Sequence, residues 1–458
     1  MQQNPTKSYL DILKLSGPLI LTMSGMMLMQ FLDALFLSWH SSDAIAAVVP
    51  AGMVAWLVVS ALHGTAGYVA TLVAQYTGAK KPELTAIVVW QGVYFAVASG
   101  LIVGSLSLLA EPLFAWAGHE PSVQAMEVSY FRILCLGASI EVTAVALSGF
   151  FAGREDTRTV MLVHLCGFAA NAVLNYVLIF GHFGMPRLGI TGAALGTVAA
   201  HAVVATLFAV LFFTRTNRER FGTWRNRAVH VDMLKRLIRF GMPRGIAWTI
   251  EMTAWTAFLF IVGRLGTVEL AATNIAWRLN GFAFFPIVGL AQAVGILVGN
   301  AQGARAPETS ARITWKGLVA SELWMVFASL IFVLFPEWLY SLFQGRGTVD
   351  PNSFAHISKT GTILLRFVAL YSLLDAFNIV FITSLQSAGD TRFTVITTAV
   401  AHALFLGSLV VGDRLGIGLI GEWIIVTTFV MLQGLMWMAR FLSGKWKTIE
   451  VVGREALG

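Results

Sequence analysis

The sequence predicts an all-α polytopic membrane protein with twelve transmembrane helices in two pseudo-symmetric six-helix lobes. Of its 458 residues, 57% are hydrophobic and only 12% are charged, about half the charged share of soluble domains. Twelve apolar stretches are long enough to cross a bilayer, and the two halves of the chain resemble each other. Together with a mean hydropathy of +0.74, this composition excludes a cytosolic enzyme, a disordered chain and a fibrous repeat.

Each apolar stretch is about 20 residues or longer, the length that a helix needs to cross the hydrocarbon core. The longest polar connection between them is Arg215–Arg239, at the middle of the chain. Pro18 and Pro243 fall near the predicted starts of spans one and seven, where a proline can begin a helix. The twelve predicted spans are Leu15–Trp39, Ala44–Gln75, Ala86–Ala110, Glu127–Gly149, Thr159–Gly181, Ile190–Thr214, Phe240–Gly263, Leu270–Asn300, Ile313–Phe335, Lys359–Gln386, Phe393–Val411 and Leu419–Phe441.

Lysine and arginine residues predict the orientation, because cytoplasmic loops are enriched in them. With the N-terminus inside, 22 of the 31 basic residues fall in inside segments and 5 fall outside. We therefore expect a multi-pass protein of the cell membrane with both termini in the cytoplasm. The net charge of +7 then reflects topology and attraction to anionic lipids, and not binding to nucleic acid.

An internal repeat divides the chain. Gln75–Glu83 reappears as Asn300–Glu308 at an offset of 225 residues, and Asp156–Arg158 returns as Asp390–Arg392 at an offset of 234. Because each half has six spans, the halves share one orientation, as in secondary transporters that bind substrate near the midplane. We expect an N-terminal lobe over residues 1–214, a basic cytoplasmic linker over 215–239 and a C-terminal lobe over 240–458.

Several short segments, taken together in their order and spacing, point to one transporter family. They are Phe31–Phe36, the Gly78-Ala79 and Gly303-Ala304 loops, Asn171–Gly181, Gly189–Thr197 and Ser387–Arg392. Through them the chain resembles the multidrug and toxin extrusion (MATE) family over nearly its whole length. The resemblance implies a two-lobed antiporter without a cofactor, driven by H⁺ or Na⁺, that exports cationic and often aromatic compounds. We expect it to act as a monomer among membrane lipids.

Asp33, in span one, is the residue on which the resemblance places the N-lobe cation site. A carboxylate within a span is costly and marks a functional candidate, the alternative being a structural carboxylate paired with a basic neighbour. Asn171 and Asn175 share one helix face and can supply amide oxygens to Na⁺ beside Asp33, and Thr197 follows in span six. The alternative for the asparagines is helix–helix hydrogen bonding. The DinF-like branch of the family would carry Asp at the position of Asn175, so a two-carboxylate Na⁺ site is not expected here.

Glu251 in span seven and Asp375 in span ten match acidic positions of the NorM-like branch, where they form a C-lobe cation site. Having both favours that branch and allows an H⁺ or Na⁺ site at this pair. The alternative is a buried ion pair with Arg244, Arg278 or Arg366.

Glu141 in span four corresponds to Asp375 under the 234-residue offset, and Arg132 corresponds to Arg366 in the same way. Glu141 is therefore either a functional counterpart of the span-ten acid or a structural partner of a neighbouring group. Glu322 is a further acid within a span.

Aromatic side chains near these acids are candidates for holding an aromatic cation, because ring faces attract positive charge. Each of them is also an ordinary packing residue. The candidates are Phe31, Trp255, Trp277 and Phe377.

No enzyme is expected. Gly416–Gly421 spells a dinucleotide-binding fingerprint, but it begins a membrane span and has no βαβ context. The sequence has no phosphate-binding loop, HExxH or CxxC motif, and its nine histidines form no recognisable catalytic arrangement. Within transport, the alternative is a flippase or exporter of a lipid-linked or polar metabolite, whose expected mark is a cationic central cavity.

Overall fold

The computed structural model describes residues 7–344 and 351–452. Of the residues in these two segments, 88% are helical and none lies in a strand. Twelve helices of the described residues are long and apolar enough to cross a membrane, which confirms the predicted fold class and the number of spans. Arg346 and Arg454, two of the basic residues that predict the orientation, lie outside the described residues.

Three helices, α4, α8 and α12, are short and lie between the spanning helices. The longest spanning helices have 37 residues, about 55 Å, so they extend well beyond a hydrocarbon core of about 30 Å. The helices are α1 (Tyr9–His40), α2 (Ser42–Gly78), α3 (Pro82–Leu106), α4 (Ala110–Ala117), α5 (Pro121–Ala152), α6 (Thr157–Phe180), α7 (Ile190–Phe212), α8 (Arg215–Phe221), α9 (Val231–Leu265), α10 (Thr267–Gly303), α11 (Pro307–Leu334), α12 (Pro336–Ser341), α13 (Pro351–Ser387), α14 (Thr391–Leu415) and α15 (Gly418–Leu442).

Pro18 and Pro243 lie inside helices, so the expectation that they begin helices is wrong. α1 begins at Tyr9 and α9 begins at Val231, so each proline follows two or more helical turns. Those first turns carry charged residues such as Asp11 and lie outside any apolar window. Hydropathy therefore predicts the starts of both helices too late in the sequence.

The helices form two compact units whose boundaries fall inside α1, α9 and α10. The first residues of α1 belong with α10–α15, and the first half of α9 belongs with α2–α8. The first unit takes in the chain up to Ile20, Ile250–Val298 and Pro307–Ile449; the second takes in Leu21–Thr249, Gly299–Ala306 and the chain from Glu450. The lobe boundaries expected from the sequence stay a prediction.

Each unit is built around one central helix. In the second unit α2, α3, α6 and α7 pack against α5, and in the first unit α11, α12, α14 and α15 pack against α13. The two central helices correspond under the 234-residue offset, which pairs Glu141 with Asp375. The sequence repeat is therefore also a repeat of packing. It places an intramembrane carboxylate at the corresponding position of each central helix.

Small residues allow close helix crossings at repeat-related positions. In the second unit, a Cβ atom added to Gly64 on α2 would lie 2.6 Å from the Cα of Gly245 on α9. In the first unit, a Cβ added to Gly289 on α10 would lie 2.8 Å from the Cα of Ile20 on α1. Gly289 is 225 residues after Gly64, and Gly245 is 225 residues after Ile20. The same crossing is therefore made twice.

A tighter crossing joins the ends of α2 and α10 within the second unit. A Cβ added to Gly78 would collide with the carbonyl oxygen of Asn300, and one added to Gly303 would collide with that of Gln75. The offset of 225 relates Gly78 to Gly303 and Gln75 to Asn300. The crossing is thus symmetric, and both glycines are needed because backbone atoms occupy the space of a methyl group.

The loops after this crossing repeat their backbone conformation as well. Lys80 and Arg305 are both left-handed, with φ of +58° and +54°. Glu155 has a φ of +67° where its counterpart in the other half is Gly389, with a φ of +102°. The Glu155 carboxylate accepts a hydrogen bond from Asn300 Nδ2 at 3.1 Å, which offsets part of the cost of a left-handed non-glycine residue.

The short helix α8 begins the predicted 215–239 linker and docks on the end of α5. The Arg154 guanidinium lies 3.8 Å from the centroid of the Phe150 ring and 4.5 Å from that of Phe221. It also donates to Asn217 Oδ1 at 3.3 Å. Burial lowers the pKa of Arg154 to about 10, and the group stays cationic at neutral pH. One arginine therefore fixes the linker helix through ring faces and a hydrogen bond.

We expect Gly78→Ala and Gly303→Ala each to destabilise the protein, because the new methyl group meets backbone atoms that cannot move aside. Overpacking of this kind costs about 1–3 kcal/mol. The measurement is the apparent melting temperature of the detergent-solubilised protein. Gly17→Ala and Gly407→Ala are matched controls, since a Cβ at either helical position meets nothing within 4 Å. Equal melting temperatures for all four variants would contradict the tight crossing.

Candidate functional site

Asp33 on α1 lies against two asparagines of α6 within the second unit. Asn175 Nδ2 donates to Asp33 Oδ1 at 2.6 Å and also contacts Asn171 Oδ1 at 3.3 Å. Both asparagines are fully buried, and Asp33 is partly buried. The three residues singled out from the sequence therefore form one hydrogen-bonded cluster in which an amide, and not a basic residue, is the partner of the carboxylate.

The Asp33 cluster, comprising Asp33, Asn171 and Asn175, depends on a close approach of α7. A Cβ atom added to Gly196 would collide with Asn175 Oδ1. This side of the amide is thus confined, and the amide nitrogen is directed at Asp33. Thr197, the next residue, donates to the carbonyl oxygen of Ala193 at 2.9 Å in its own helix. The structure therefore brings together three of the four predicted residues and leaves Thr197 occupied elsewhere.

Two polar atoms of the Asp33 cluster have no hydrogen-bond partner although they are buried: Asn175 Oδ1 and Asn171 Nδ2. Buried polar atoms without partners are costly and call for a ligand, a water molecule or a change of state. Carboxylate and amide oxygens are suitable ligands for a hard cation. In the observed arrangement, however, Asn175 presents its nitrogen to Asp33, so its oxygen would join a cation only after the amide rotates. The cluster can hold a proton on Asp33 or, after that rotation, a Na⁺ ion.

Glu251 on α9 and Asp375 on α13 form the second acidic site, in the first unit. They are near enough for the charge on Asp375 to act on Glu251, and both are buried in large part. Asn378 Nδ2 donates to Asp375 Oδ1 at 3.2 Å, and the Trp255 side chain lies near the Glu251 carboxylate. None of the ion pairs among the described residues includes either acid. Two carboxylates thus share an apolar region, with neutral donors as the partners that the structure gives them.

Among the described residues, no ion pair joins Glu251 or Asp375 to Arg244, Arg278 or Arg366. Arg278 and Arg366 are exposed on their helices, and Arg244 is partly buried. Arg132, the counterpart of Arg366, donates to Glu111 Oε1 at 2.9 Å and to the carbonyl oxygen of Ser107. The repeated spacing of arginine and acid therefore does not reflect a repeated ion pair.

Aromatic rings surround the Glu251 side of this site. Trp255 lies edge-to-face against Trp277, with ring centroids 4.9 Å apart, and its ring centroid is 5.7 Å from that of Phe405. Phe377 lies two residues after Asp375 and packs against Phe381, 5.9 Å between centroids. Three of the four aromatic candidates therefore lie on the helices that carry the two acids or beside them. The fourth, Phe31, belongs to the second unit and is 57% exposed on α1.

Glu141, on the central helix of the second unit, has histidine partners that the sequence did not indicate. His63 Nδ1 on α2 lies 3.1 Å from Glu141 Oε1, and His201 Nδ1 on α7 lies 4.0 Å from Glu141 Oε2. The sequence gives no motif for these histidines, because they lie in different spans at no fixed spacing. Only the packing of α2, α5 and α7 brings them together.

Other acids within the helices have fewer partners. Glu422, at the start of α15, is fully buried, and neither of its carboxylate oxygens has a hydrogen-bond partner. Glu322 on α11 is partly buried, and its Oε1 lacks a partner. Glu127, near the start of α5, is fully buried and lies 2.8 Å from His119 Nδ1. No group of three or more His, Cys, Asp or Glu side chains in the described residues is arranged to hold a metal ion.

The fold and sequence match known transporters. A family model described as MatE matches residues 18–177 and 243–407, more than half of the chain. The relative named "Probable multidrug resistance protein NorM" from Thermotoga maritima is 26% identical over 453 residues, covering 97% of this chain and 94% of that protein. The relative of the same name from Pseudomonas putida is 28% identical over 458 residues, covering 97% of this chain and 98% of that protein. These names agree with the NorM-like resemblance read from the sequence.

Two solved structures share the fold at 21% sequence identity. One, with a TM-score of 0.86 and 96% of each chain covered, is a MOP superfamily transporter from Pyrococcus furiosus, described as having a binding pocket of reverse polarity that suggests a different function. The other, with a TM-score of 0.85, covers 95% of this chain and 96% of its own. It is described as an outward-facing multidrug resistance MATE family transporter. At this identity the two structures show the fold alone.

We expect Gly196→Ala to displace the Asn175 amide from Asp33, because the added methyl group would occupy the position of Asn175 Oδ1. Infrared spectra of the protein with ¹³C-labelled aspartate should show an altered band for the Asp33 carboxyl group, identified by its loss in Asp33→Asn. Gly17→Ala, in an open position of α1, should leave that band unchanged. An unaltered band in Gly196→Ala would show that Gly196 does not direct the amide.

Proposed function

Because this chain belongs to the MatE family, we propose that it is a cation-coupled antiporter. It would export cationic, often aromatic, compounds by alternating access. Membership of the family and the NorM names of its relatives make it a membrane transporter of the multidrug efflux type. The coupling ion, H⁺ or Na⁺, and the class of substrate are the proposed part. The observation that carries it is the Glu251–Asp375 pair, buried without a basic partner among the described ion pairs.

The pair of acids provides a charge for which ion and substrate compete. Two ionised carboxylates in an apolar region repel each other, and each is costly to keep out of water. A proton on one of them, or a Na⁺ ion between them, removes that cost. A cationic substrate removes it in the same way, so binding of the ion and binding of the substrate exclude each other. Exchange follows when the two ligands favour different conformations of the transporter.

The aromatic rings beside Glu251 suit the substrate class. Trp255 lies near Glu251 and is held by edge-to-face contact with Trp277. A flat cation placed near the acids would meet negative charge together with ring faces, and each cation–π contact contributes about 0.5–2 kcal/mol. This arrangement supports binding of varied aromatic cations, because neither contact requires a particular hydrogen-bonding pattern.

The Asp33 cluster supports a second coupling site with a simple switch. While Asp33 is ionised, Asn175 donates to it, as observed. When Asp33 carries a proton, its hydroxyl group needs an acceptor, and Asn175 Oδ1 can supply one after the amide rotates. The same rotation presents that oxygen to a Na⁺ ion bound by Asp33 and Asn171. The orientation of one amide would therefore report whether the site holds an ion.

The alternative function is export or flipping of a lipid-linked or polar metabolite. It draws support from the similar fold of the Pyrococcus furiosus transporter, which is described as having a binding pocket of reverse polarity. An anionic substrate would need a cationic site, whereas the groups described on α1, α9 and α13 are acidic. We therefore favour cationic substrates. We further propose that the protein is a monomer of the cell membrane. We also propose that both termini lie in the cytoplasm, because this orientation places 22 basic residues inside and 5 outside.

The test is ethidium transport by the purified protein in liposomes, with a pH gradient and a Na⁺ gradient imposed separately. We expect one gradient to drive transport. Asp33→Asn, and Glu251→Gln combined with Asp375→Asn, should lower the driven rate by roughly 5- to 150-fold, since each removes a charge on which coupling depends. Glu308→Gln, whose side chain is 72% exposed, is the control and should transport like the unaltered protein.

Three results would count against the antiporter. If neither gradient moves ethidium although the protein is folded, a metabolite or lipid-linked substrate becomes the working function. Transport that persists in both acidic variants would remove the acids from the coupling mechanism. Flux without competition between ion and dye would indicate a passive channel.

A further inference from the structure

We propose that Glu141, His63 and His201 form a proton-binding site, separate from the Asp33 cluster, in the second unit. The site would hold one exchangeable proton between the Glu141 carboxylate and the His63 imidazole, with the His201 imidazole close by. The coupling of this proton to transport rests on the proposed antiport function, whereas binding of the proton does not. The group of three residues is called the histidine site below.

Glu141 and His63 are at hydrogen-bonding distance, and His201 lies just beyond it. Glu141 Oε1 is 3.1 Å from His63 Nδ1, and Glu141 Oε2 is 4.0 Å from His201 Nδ1. A proton can therefore lie directly between Glu141 and His63, while His201 is near enough to act on the site through its charge. Two neutral imidazoles beside the carboxylate leave a net charge of −1, and one added proton makes the group neutral. An imidazole is the side chain whose ordinary pKa is closest to neutral pH, so histidines suit a site that gains and loses a proton.

The histidine site lies at mid-helix and is partly exposed. Glu141, His63 and His201 each fall in the central part of their helices, well away from the helix ends. Their side chains are nevertheless 19%, 39% and 31% exposed, respectively. A structural ion pair in an apolar layer gains from being closed off, whereas a site that loads and unloads a proton must stay accessible. The partial exposure of all three side chains favours the second interpretation.

Few other titratable groups face the histidine site from the neighbouring helices. On α6, His164 is near enough to feel charge on both His63 and His201. On α9, Arg244 packs beside Gly64, next to His63 in sequence, and its side chain is near that of Tyr68. Charge on Glu141 itself is influenced by His63 and His201. His164 is therefore a third imidazole whose charge acts on the histidine site, and Glu141 is the carboxylate of that site.

Helix α6 provides a physical connection between the histidine site and the Asp33 cluster. His164, Phe168, Asn171 and Asn175 follow one another at spacings of three or four residues and so share one face of α6. The rings of His164 and Phe168 are 6.1 Å apart, and Phe168 packs where Gly25 of α1 leaves room for it. A change of charge at the histidine site would therefore act on the same helix face that contacts Asp33.

The binding of the proton is tested on the full-length protein in lipid nanodiscs, using NMR of ¹⁵N-labelled histidines titrated from about pH 5 to about pH 9. Groups that share a proton titrate together. We expect His201→Gln to move the titration midpoint of His63 by about one pH unit, and Glu141→Gln to move the midpoints of both histidines. Midpoints that do not respond to these substitutions would overturn the proposal.

A matched control lies on the same helix. Glu127 also pairs with a histidine, His119, but lies 14 residues before Glu141, about 21 Å along the helix. Glu127→Gln should leave the midpoints of His63 and His201 unchanged. If Glu141→Gln does not fold, His63→Gln removes one imidazole and leaves the carboxylate in place, and its effect on the His201 midpoint serves the same purpose.

Coupling to transport is tested by the pH profile of ethidium export in liposomes. We expect Glu141→Gln and His63→Gln to flatten the part of the profile that falls in the histidine range, while Glu127→Gln keeps the original profile. A profile unchanged in all three variants would overturn the coupling and leave the histidine site as a structural group. If the unaltered protein moves no ethidium, the proposed function fails, and the NMR titration alone decides whether the proton site exists.

Discussion

A charge within a membrane-spanning helix must be compensated, and the arrangement of this protein follows from that constraint. Asp33 and Asp375 each accept an amide hydrogen bond, and Glu141 is paired with imidazoles. Among the described residues, neither Glu251 nor Asp375 takes part in an ion pair. The kind of partner decides whether the acid can still bind a proton or a cation. Neutral donors leave room for a proton or cation to bind, whereas a fixed arginine would have neutralised the site permanently. The exposed positions of Arg278 and Arg366 are therefore as informative as the positions of the acids.

The two halves of the internal repeat share their packing but differ in the partners of their intramembrane acids. Both central helices, α5 and α13, carry a carboxylate at the corresponding position, Glu141 and Asp375. The first is paired with histidines, and the second lies near another acid. Duplication thus conserved the packing and the depth of the acid, while the partners diverged. The proposed proton site and the proposed cation site therefore use corresponding positions of the two central helices.

Close helix crossings are the second structural requirement. The Gly64–Gly245 crossing and the Gly78–Asn300 crossing bring backbones together without intervening side chains. Without a strong hydrophobic drive between helices in lipid, such contacts rely on van der Waals packing, which depends on small residues. Gly196 applies the same principle to a polar site, where its lack of a side chain determines the direction of the Asn175 amide. Packing and site chemistry therefore depend on the same property of glycine.

The sequence by itself determined the helical membrane fold, the twelve spans, the repeat and the acids worth attention, because hydropathy and intramembrane charge are local properties. It also indicated that Asp33, Asn171 and Asn175 belong together, through the helical spacing of the asparagines and the family resemblance. Only the tertiary structure decided which partner each acid has. Thr197 bonds within its own helix, Arg132 pairs with Glu111, and His63 and His201 meet Glu141. These contacts depend on the rotation and depth of separate helices, which hydropathy does not encode because many rotations keep an apolar helix buried in lipid.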